Sequence, residues 1–301
     1  MPPTPVLVEQ RFPLELDATH HEIRALYERA KQSRWDPFRD FDWTLLERAQ
    51  FSDEVRQALQ LGYSRRLWQE YTALAETPAL LIRFCLEQGR EADPKYFLAV
   101  RNTEEAWHIE CFNRIVVAAG GVLPEPSSND YAQVFNRRRD RIALSADTLL
   151  DAYVATYCAL EDSIDLELAR AALNNARHPI IHAVWARIVD DRSRHAAFGW
   201  LYVASSGKRW TAETRAVVAA TLAAYINDNV FAGYSCVGLA APGVADEFSA
   251  AEVALEAAGL GGVSAQHEMR ALRDVLSRAR SEFGALGVVL PTFQHARQGL
   301  F

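Results

Sequence analysis

The sequence is poor in cysteine, and its few cysteines follow no ligand or disulfide spacing. Among 301 residues only four occur, none in a C-x-x-C pair: Cys85, Cys111, Cys158 and Cys236. Each stands among apolar neighbours, which is typical of buried, reduced thiols. The pattern argues against a disulfide-stapled secreted domain and against a cysteine-ligated zinc site. It favours a cytoplasmic protein.

The chain also lacks an excess of basic residues and a long apolar run. Its formal net charge is -7, and its longest run of arginines, at 137–139, is followed at once by Asp140, as in a solvated loop. We therefore expect no nucleic-acid partner. The longest apolar run covers 216–226, which is too short to cross a bilayer, and the N-terminus shows no secretory signal pattern. We expect no membrane partner either.

No segment shows the alternation of apolar and polar residues that half-buried β-strands require. Helical periodicity dominates instead, and four of the predicted helices exceed twenty residues. The sequence therefore predicts an all-α protein built on a long four-helix bundle, with residues 1–301 in a single domain. Its predicted parts are an N-terminal arm at 1–51, a bundle core at about 62–205 and a helical extension at 208–301.

Two polar residues lie on the apolar face of the long helix that is predicted to follow Asp93. Glu105 and His108 are three residues apart and so project from the same face. Glu105 shares a row with Leu98 and Phe112 at a spacing of seven. An unpaired charge in such a stripe would be costly. A carboxylate and an imidazole so placed can hold one metal ion, and four-helix bundles with two metals use two such pairs.

The second half of the chain repeats this arrangement with one change. His195 follows His108 by 87 residues, and Arg192 follows Glu105 by the same interval. Helical phase places His195 and Arg192 on the apolar side of their helix. Glu161 occupies an apolar row of the preceding helix. Two histidines and two acids on the core faces of three helices favour a metal site over isolated core hydrogen bonds.

The first helix of the bundle offers two candidate carboxylates. Glu76 lies 29 residues before Glu105, with the connecting loop midway, so antiparallel packing brings the two to the same level. Glu70 lies nearer the apolar stripe but about 9 Å from that level. Pro78 should kink this helix and could change the phase between the two acids. We prefer Glu76, with Glu70 as the alternative.

These residues resemble the ferritin-like di-iron carboxylate proteins, in particular the oxygenase branch that includes p-aminobenzoate N-oxygenase-like enzymes. The resemblance covers roughly 62–205 and is carried by Glu105-Ala-Trp-His108, by Glu161 and by Asp191-Arg-Ser-Arg-His195-Ala-Ala-Phe-Gly. It implies a metal-ligand set of Glu76, Glu105, His108, Glu161 and His195. Asp191 would accept a hydrogen bond from a ligand imidazole and fix it. Arg192 occupies the position of the family's second bridging glutamate.

Arginine at that position leaves three outcomes open, because it replaces a ligand with a permanent cation that pairs naturally with Glu161. The site may hold one ion, two ions with Asp191 as a ligand, or none. The resemblance implies iron, with manganese as a possibility, and an O2-dependent oxidoreductase or oxygenase acting on a small molecule. The alternative is a metal-free homologue that binds an anionic small molecule through Arg192 or has a structural role. The extension at 208–301 would cover a pocket or form the interface of a homodimer.

Overall fold

The computed structural model describes residues 19–87, 92–124 and 139–301. Nearly all of its regular structure is helical. The helices are α1 (His21–Gln32), α2 (Thr44–Glu47), α3 (Asp53–Ala73), α4 (Glu76–Leu86), α5 (Ala92–Ala118), α6 (Arg139–Leu144), α7 (Leu150–Tyr153), α8 (Asp162–Asn174), α9 (Pro179–Ser206), α10 (Ala212–Tyr225), α11 (Pro242–Ala258) and α12 (Ala265–Ala285). A short hairpin pairs β1 (Gln294–His295) with β2 (Gly299–Leu300). The prediction of an all-α chain is confirmed.

Four long helical rods form the bundle. The first rod is α3 with α4, the second is α5, the third runs from α7 to α8, and the fourth is α9. Both α3 and α4 pack on α5, and α9 packs along α8. The extension covers the flanks of the bundle, since α11 packs on α3 and α12 packs on α8. In the described part of the chain, no helix is long and apolar enough to cross a membrane.

The first rod is interrupted between Ala73 and Glu76, not at Gly62, which lies inside α3. Pro78 is the third residue of α4, where its missing N–H removes no intrahelical hydrogen bond. Because of the interruption, Glu70 and Glu76 lie on two separate helices. The angle between their side chains therefore cannot be obtained by counting residues along one continuous helix. This is the physical reason why periodicity alone could not choose between the two acids.

The third rod contains a π-helical stretch, Val154–Glu161, between α7 and α8. The sequence predicted a helix from Ser145, but α6 ends at Leu144 and the rod begins at Leu150. Wider π turns change the angular spacing of side chains and often occur at functional sites. Glu161 is the last residue of this stretch.

The π-helical stretch is packed directly against Gly199 of α9. A Cβ atom at Gly199 would lie 2.0 Å from the carbonyl oxygen of Cys158 and 2.3 Å from the backbone nitrogen of Ala159. Because both contacts are with backbone, the rods would have to separate. We expect Gly199→Ala to lower the free energy of unfolding by at least about 2 kcal/mol, as measured by urea denaturation.

Gly284 provides the matched control, since it is an exposed helical glycine with no atom within 4 Å of an added Cβ. Gly284→Ala should raise the free energy of unfolding by up to about 1 kcal/mol, because alanine is the better helix former. Equal effects of the two substitutions would show that the close approach at Gly199 is not a packing constraint.

Candidate metal centre

A cavity of about 110 Å³ lies between the four rods of the bundle. It gathers every predicted ligand, together with Arg192 and the alternative Glu70. The charged and imidazole side chains from the rods and α6 that line it are Arg65, Arg66, Glu70, Glu76, Arg101, Glu105, His108, Arg139, Glu161, Asp162, Asp165, Arg192 and His195. The tertiary structure thus brings together residues that are far apart in the sequence.

Each imidazole is held by a carboxylate from the opposite half of the bundle. His108 Nε2 lies 3.1 Å from Asp191 Oδ2, and His195 Nε2 lies 2.8 Å from Glu104 Oε2. The two rings are 6.2 Å apart between centroids. With Nε2 bonded to a carboxylate, Nδ1 of each ring is the nitrogen left for a metal. Histidines that bind metals in proteins are typically oriented in this way.

The two carboxylates follow the same repeat as the histidines. Glu104 and Asp191 are 87 residues apart, as are His108 and His195. The sequence predicted that Asp191 fixes an imidazole, and the structure assigns it to His108 on α5. Sequence reasoning missed Glu104, although the 87-residue repeat applied to Asp191 would have found it. Asp191 is fully buried, not at the edge of its helix.

The surroundings change the pKa values of the two histidines in opposite directions. Burial opposes protonation of His108, but its hydrogen bond to Asp191 and the nearby negative charge of Glu70 prevail and raise its pKa to about 9. Burial lowers the pKa of His195, and the positive charges of Arg101 and His108 lower it further. His195 is therefore neutral at pH 7. Its partner Glu104 also accepts a hydrogen bond from the buried Arg194.

Glu70, and not Glu76, is the carboxylate of the first rod that lies beside His108. Glu70 Oε2 is 3.8 Å from His108 Nδ1, and Glu70 Oε1 accepts a hydrogen bond from Arg192. Burial would raise the pKa of Glu70, but the charge of Arg192 and the neighbouring His108 lower it to about 2. Glu76 lies on the far side of the interruption and accepts a hydrogen bond from Arg139 at 3.1 Å.

Arg192 reaches into the cavity, but its partners differ from the predicted one. It pairs with Glu70 of α3 and, at 3.3 Å, with Asp165 of α8. The expected pair with Glu161 does not form, because Arg139 is the ion-pair partner of Glu161. Asp165 lies one turn beyond Glu161 on the same rod.

Two further arginines act as internal counter-ions. Arg101 donates to Glu105 Oε1 at 2.8 Å and to Asp162 Oδ1 at 3.0 Å, so it joins α5 to α8. Thr77 also donates to Glu105 Oε1, at 2.9 Å, while Glu105 Oε2 is buried with no hydrogen-bond partner among the described residues. Sequence phase had placed Arg101 in the same row as His108 but had not assigned it a partner.

Arg139 joins Glu76 to Glu161 at the other end of the cavity. It is 3% exposed, so the prediction of a solvated loop at 137–139 is wrong for this residue. Residues 137 and 138 lie outside the described part of the chain. Tyrosine rings surround the guanidinium group, at centroid distances of 4.5, 5.1 and 5.8 Å for Tyr157, Tyr234 and Tyr225.

The three arginines bridge six carboxylates, and the cavity lining as a whole carries seven acids against five arginines and His108, whose pKa is raised to about 9. The lining therefore has a small excess of negative charge if every acid is ionised. Burial is the main cause that raises the pKa of Glu76 to about 8, of Asp162 to about 7 and of Asp165 to about 6. These acids therefore take up protons near neutral pH when no other cation is present. A cavity with this charge balance favours the entry of a cation.

The donor set fits one metal ion better than two. Glu70 and Glu105 each use one oxygen for an arginine, so a second oxygen of each, with His108 Nδ1, can serve an ion at the intact half. In the other half Arg192 stands where the 87-residue repeat places the counterpart of Glu105, and Glu161 is held by Arg139. Within 19–87, 92–124 and 139–301, no three His, Cys, Asp or Glu side chains already stand in ligating positions. Small side-chain movements would have to complete the site.

No protein-family model matches the chain, and no curated protein matches it. Several solved structures are similar to it. An R2-like ligand-binding oxidase with an aerobically reconstituted metal cofactor, studied after photoconversion, aligns with a TM-score of 0.65 and 18% identity over 87% of this chain and 93% of the other. A mutant R2-like ligand-binding oxidase with an Mn/Fe cofactor aligns with a TM-score of 0.62, 17% identity and coverages of 87% and 94%.

The R2-like ligand-binding oxidase from Sulfolobus acidocaldarius aligns with a TM-score of 0.56 and 19% identity over 85% of this chain and 90% of that one. At such identities the likeness concerns the fold. The three alignments cover 85–87% of this chain. The chain has the all-α, ferritin-like fold of the R2-like oxidases.

Proposed function

We propose that the chain is a metal-dependent oxidase of ferritin-like fold that holds one iron or manganese ion at Glu70, Glu105 and His108. The observation that supports this most is the pair of buried histidine–carboxylate contacts across the bundle. They occupy Nε2 of each ring and leave Nδ1 for a metal, an arrangement that is typical of metal-binding histidines. The Mn/Fe cofactor of a structural neighbour supports the choice of metals.

The chain's own residues prepare the site for such an ion. Asp191 accepts hydrogen bonds from Trp35 Nε1 at 3.0 Å and from His108, so the ring of His108 is held in one orientation. Arg101 and Arg192 each hold one oxygen of a candidate ligand and thereby fix its carboxylate. When bound, the ion would supply redox chemistry with O2 in a largely buried cavity.

The substrate is proposed to be a small molecule that enters this cavity with O2. From the sequence we retain the resemblance to the N-oxygenase branch, the cytoplasmic location and the homodimer as predictions. The described helices α11 and α12 pack on the bundle flanks. The roles predicted for the extension, to cover a pocket or to form the interface of a homodimer, stay predictions.

Metal analysis tests the proposal. Protein purified from iron-supplemented cells, or given Fe(II) anaerobically, should contain about one ion per chain and consume O2. A content below ~0.1 ion per chain, with no uptake on Fe(II) addition, would overturn it and leave a metal-free protein.

Glu70 and Glu76 offer matched variants for the site itself. Each pairs with one buried arginine, Glu70 with Arg192 and Glu76 with Arg139. Glu70→Gln and Glu76→Gln should therefore weaken folding to similar extents. Only Glu70→Gln should abolish metal uptake, whereas Glu76→Gln should retain about one ion. If Glu76→Gln abolished metal uptake and Glu70→Gln did not, the ligand would be Glu76, which we preferred from the sequence.

A further inference from the structure

The outward side of the first two rods carries almost no charge. In two stretches that the structure describes throughout, 71–86 of the first rod and 99–113 of α5, all charged or imidazole side chains but one are at most 12% exposed. They are Glu76, Arg83, Arg101, Glu104, Glu105 and His108. The exception is Glu110, at 45%, and Arg114 lies 3.6 Å from it, one turn further along α5. Helices that meet only water usually carry charged residues on their outer side.

The side chains that do face outward there are apolar, small or uncharged. The exposed or half-buried ones are Tyr71, Ala75, Pro78 and Ile82 in the first rod and Ala99, Thr103, Ala106 and Asn113 in α5. We call this surface the outer face. At the usual helical rise each stretch is about 20 Å long, and two packed rods are about 20 Å wide. A face of about 400 Å² is of the size at which apolar patches mark interaction sites. It can form the core of an interface of about 800 Å² per partner with a polar rim.

The outer face combines a groove with a projecting ring. The groove, of about 440 Å³, lies between α3 and α5 and is lined by Leu67, Trp68, Tyr71, Thr72, Ala106, Ile109, Glu110 and Asn113. The ring is that of Tyr71, which is 70% exposed, more than any other aromatic side chain in the described part of the chain. Tyrosine rings in apolar pockets are frequent anchors of protein interfaces, because they bury a large area at a small cost in side-chain entropy.

A groove next to a projecting ring makes the outer face complementary to itself. About a two-fold axis, Tyr71 of one copy enters the groove of the second copy, and the same contact forms in reverse. Charge also supports a second copy as the partner. Each copy has a net charge of -7, so close approach is least opposed where exposed charge is sparse. Arg114 balances Glu110, which leaves a partner of opposite charge little to recognise.

We infer that the outer face is the interface of a homodimer. The sequence suggested the extension at 208–301 as one possible interface, and the inference places the interface on the first two rods instead. It goes beyond the proposed function and does not depend on it. The proposed ligands Glu70, Glu105 and His108 line the cavity on the inner sides of the same helices, so each copy keeps its own metal centre.

Sedimentation velocity of the full-length protein, before and after treatment with a chelator, tests this inference. Both preparations should sediment with twice the mass of one chain at about 100 µM, with a dissociation constant of about 10 µM or lower. A protein that stays monomeric at about 100 µM would overturn the inference, whatever else then binds the groove. A dimer that takes up no metal would sustain it while the proposed oxidase fails.

Two exposed positions, one on each rod, distinguish this interface from others. Tyr71→Glu and Asn113→Lys each place a charge on the outer face that must lose its hydration when the dimer forms. Each should raise the dissociation constant at least about tenfold. Both side chains are exposed in the single chain, so the helical circular dichroism should not change. If one variant does not fold, the other decides.

Val289→Glu is the matched control on the extension, because Val289 is 80% exposed and lies outside the outer face. It should leave the dissociation constant within about twofold of the wild-type value. Dissociation of the dimer by Val289→Glu, with no effect of Tyr71→Glu or Asn113→Lys, would move the interface to the extension and overturn the inference. A dimer that tolerates all three substitutions would overturn it as well.

Discussion

Replacing Arg192 with glutamate is expected to raise the metal content from about one to about two ions per chain. The substitution would restore the fourth carboxylate at the position equivalent to Glu105 in the 87-residue repeat. It would also remove the guanidinium group that neutralises Glu70 and Asp165. Without metal, the three acids would repel one another, and the free energy of unfolding should fall by about 3–5 kcal/mol. Metal analysis and thermal unfolding with and without Fe(II) measure the two effects.

Arg192→Gln is the control for this prediction. It removes the same positive charge but supplies no carboxylate, so it should lose stability without gaining a second ion. An unchanged metal content in Arg192→Glu would show that the second half-site is not arranged for an ion. Equal gains in both variants would mean that relief of charge, not ligation, limits metal uptake.

Replacing Asp191 with alanine is expected to lower the free energy of unfolding by about 3–5 kcal/mol. Asp191 is fully buried and accepts hydrogen bonds from Trp35, His108 and Arg194. Its removal leaves those donors unsatisfied in a region of low dielectric. Because it fixes His108, metal affinity should also fall about 10–100-fold. Urea denaturation and competition with a chelator measure the two losses.

Asp190 is the matched control, since it precedes Asp191 and bonds the same Arg194, at 2.6 Å, while its side chain is 55% exposed. Asp190→Ala should change the free energy of unfolding by less than about 1 kcal/mol and leave metal content unaltered. Similar losses in both variants would mean that the Arg194 contact, not the orientation of His108, accounts for the effect of Asp191.

In this centre, arginine side chains provide positive charge next to the carboxylates. A pair of metal ions would balance the carboxylates of an intact ferritin-like site. Here Arg101, Arg139 and Arg192 each bridge two acids from different helices. An arginine cannot be removed by a chelator, so we expect the fold to persist without metal.

The sequence by itself determined the all-α architecture and one face of each core helix. Spacing of three and seven residues placed Glu105 and His108 on an apolar stripe, and the 87-residue interval located Arg192 and His195. These inferences hold because burial of a helix face is a local, periodic property of the sequence. The same interval contained the Glu104–Asp191 relation, although that relation went unused.

Only the tertiary structure decided which charged groups meet. The interruption at 74–75 resets helical phase and brings Glu70, not Glu76, beside His108. Packing across the bundle brings Asp191 into contact with His108 and Glu104 into contact with His195. It also buries Arg139, at the end of a run that the sequence predicted to be a solvated loop. Periodicity specifies which side of a helix is buried. It does not specify the level at which two helices pack, and that level selects the partners of each charge.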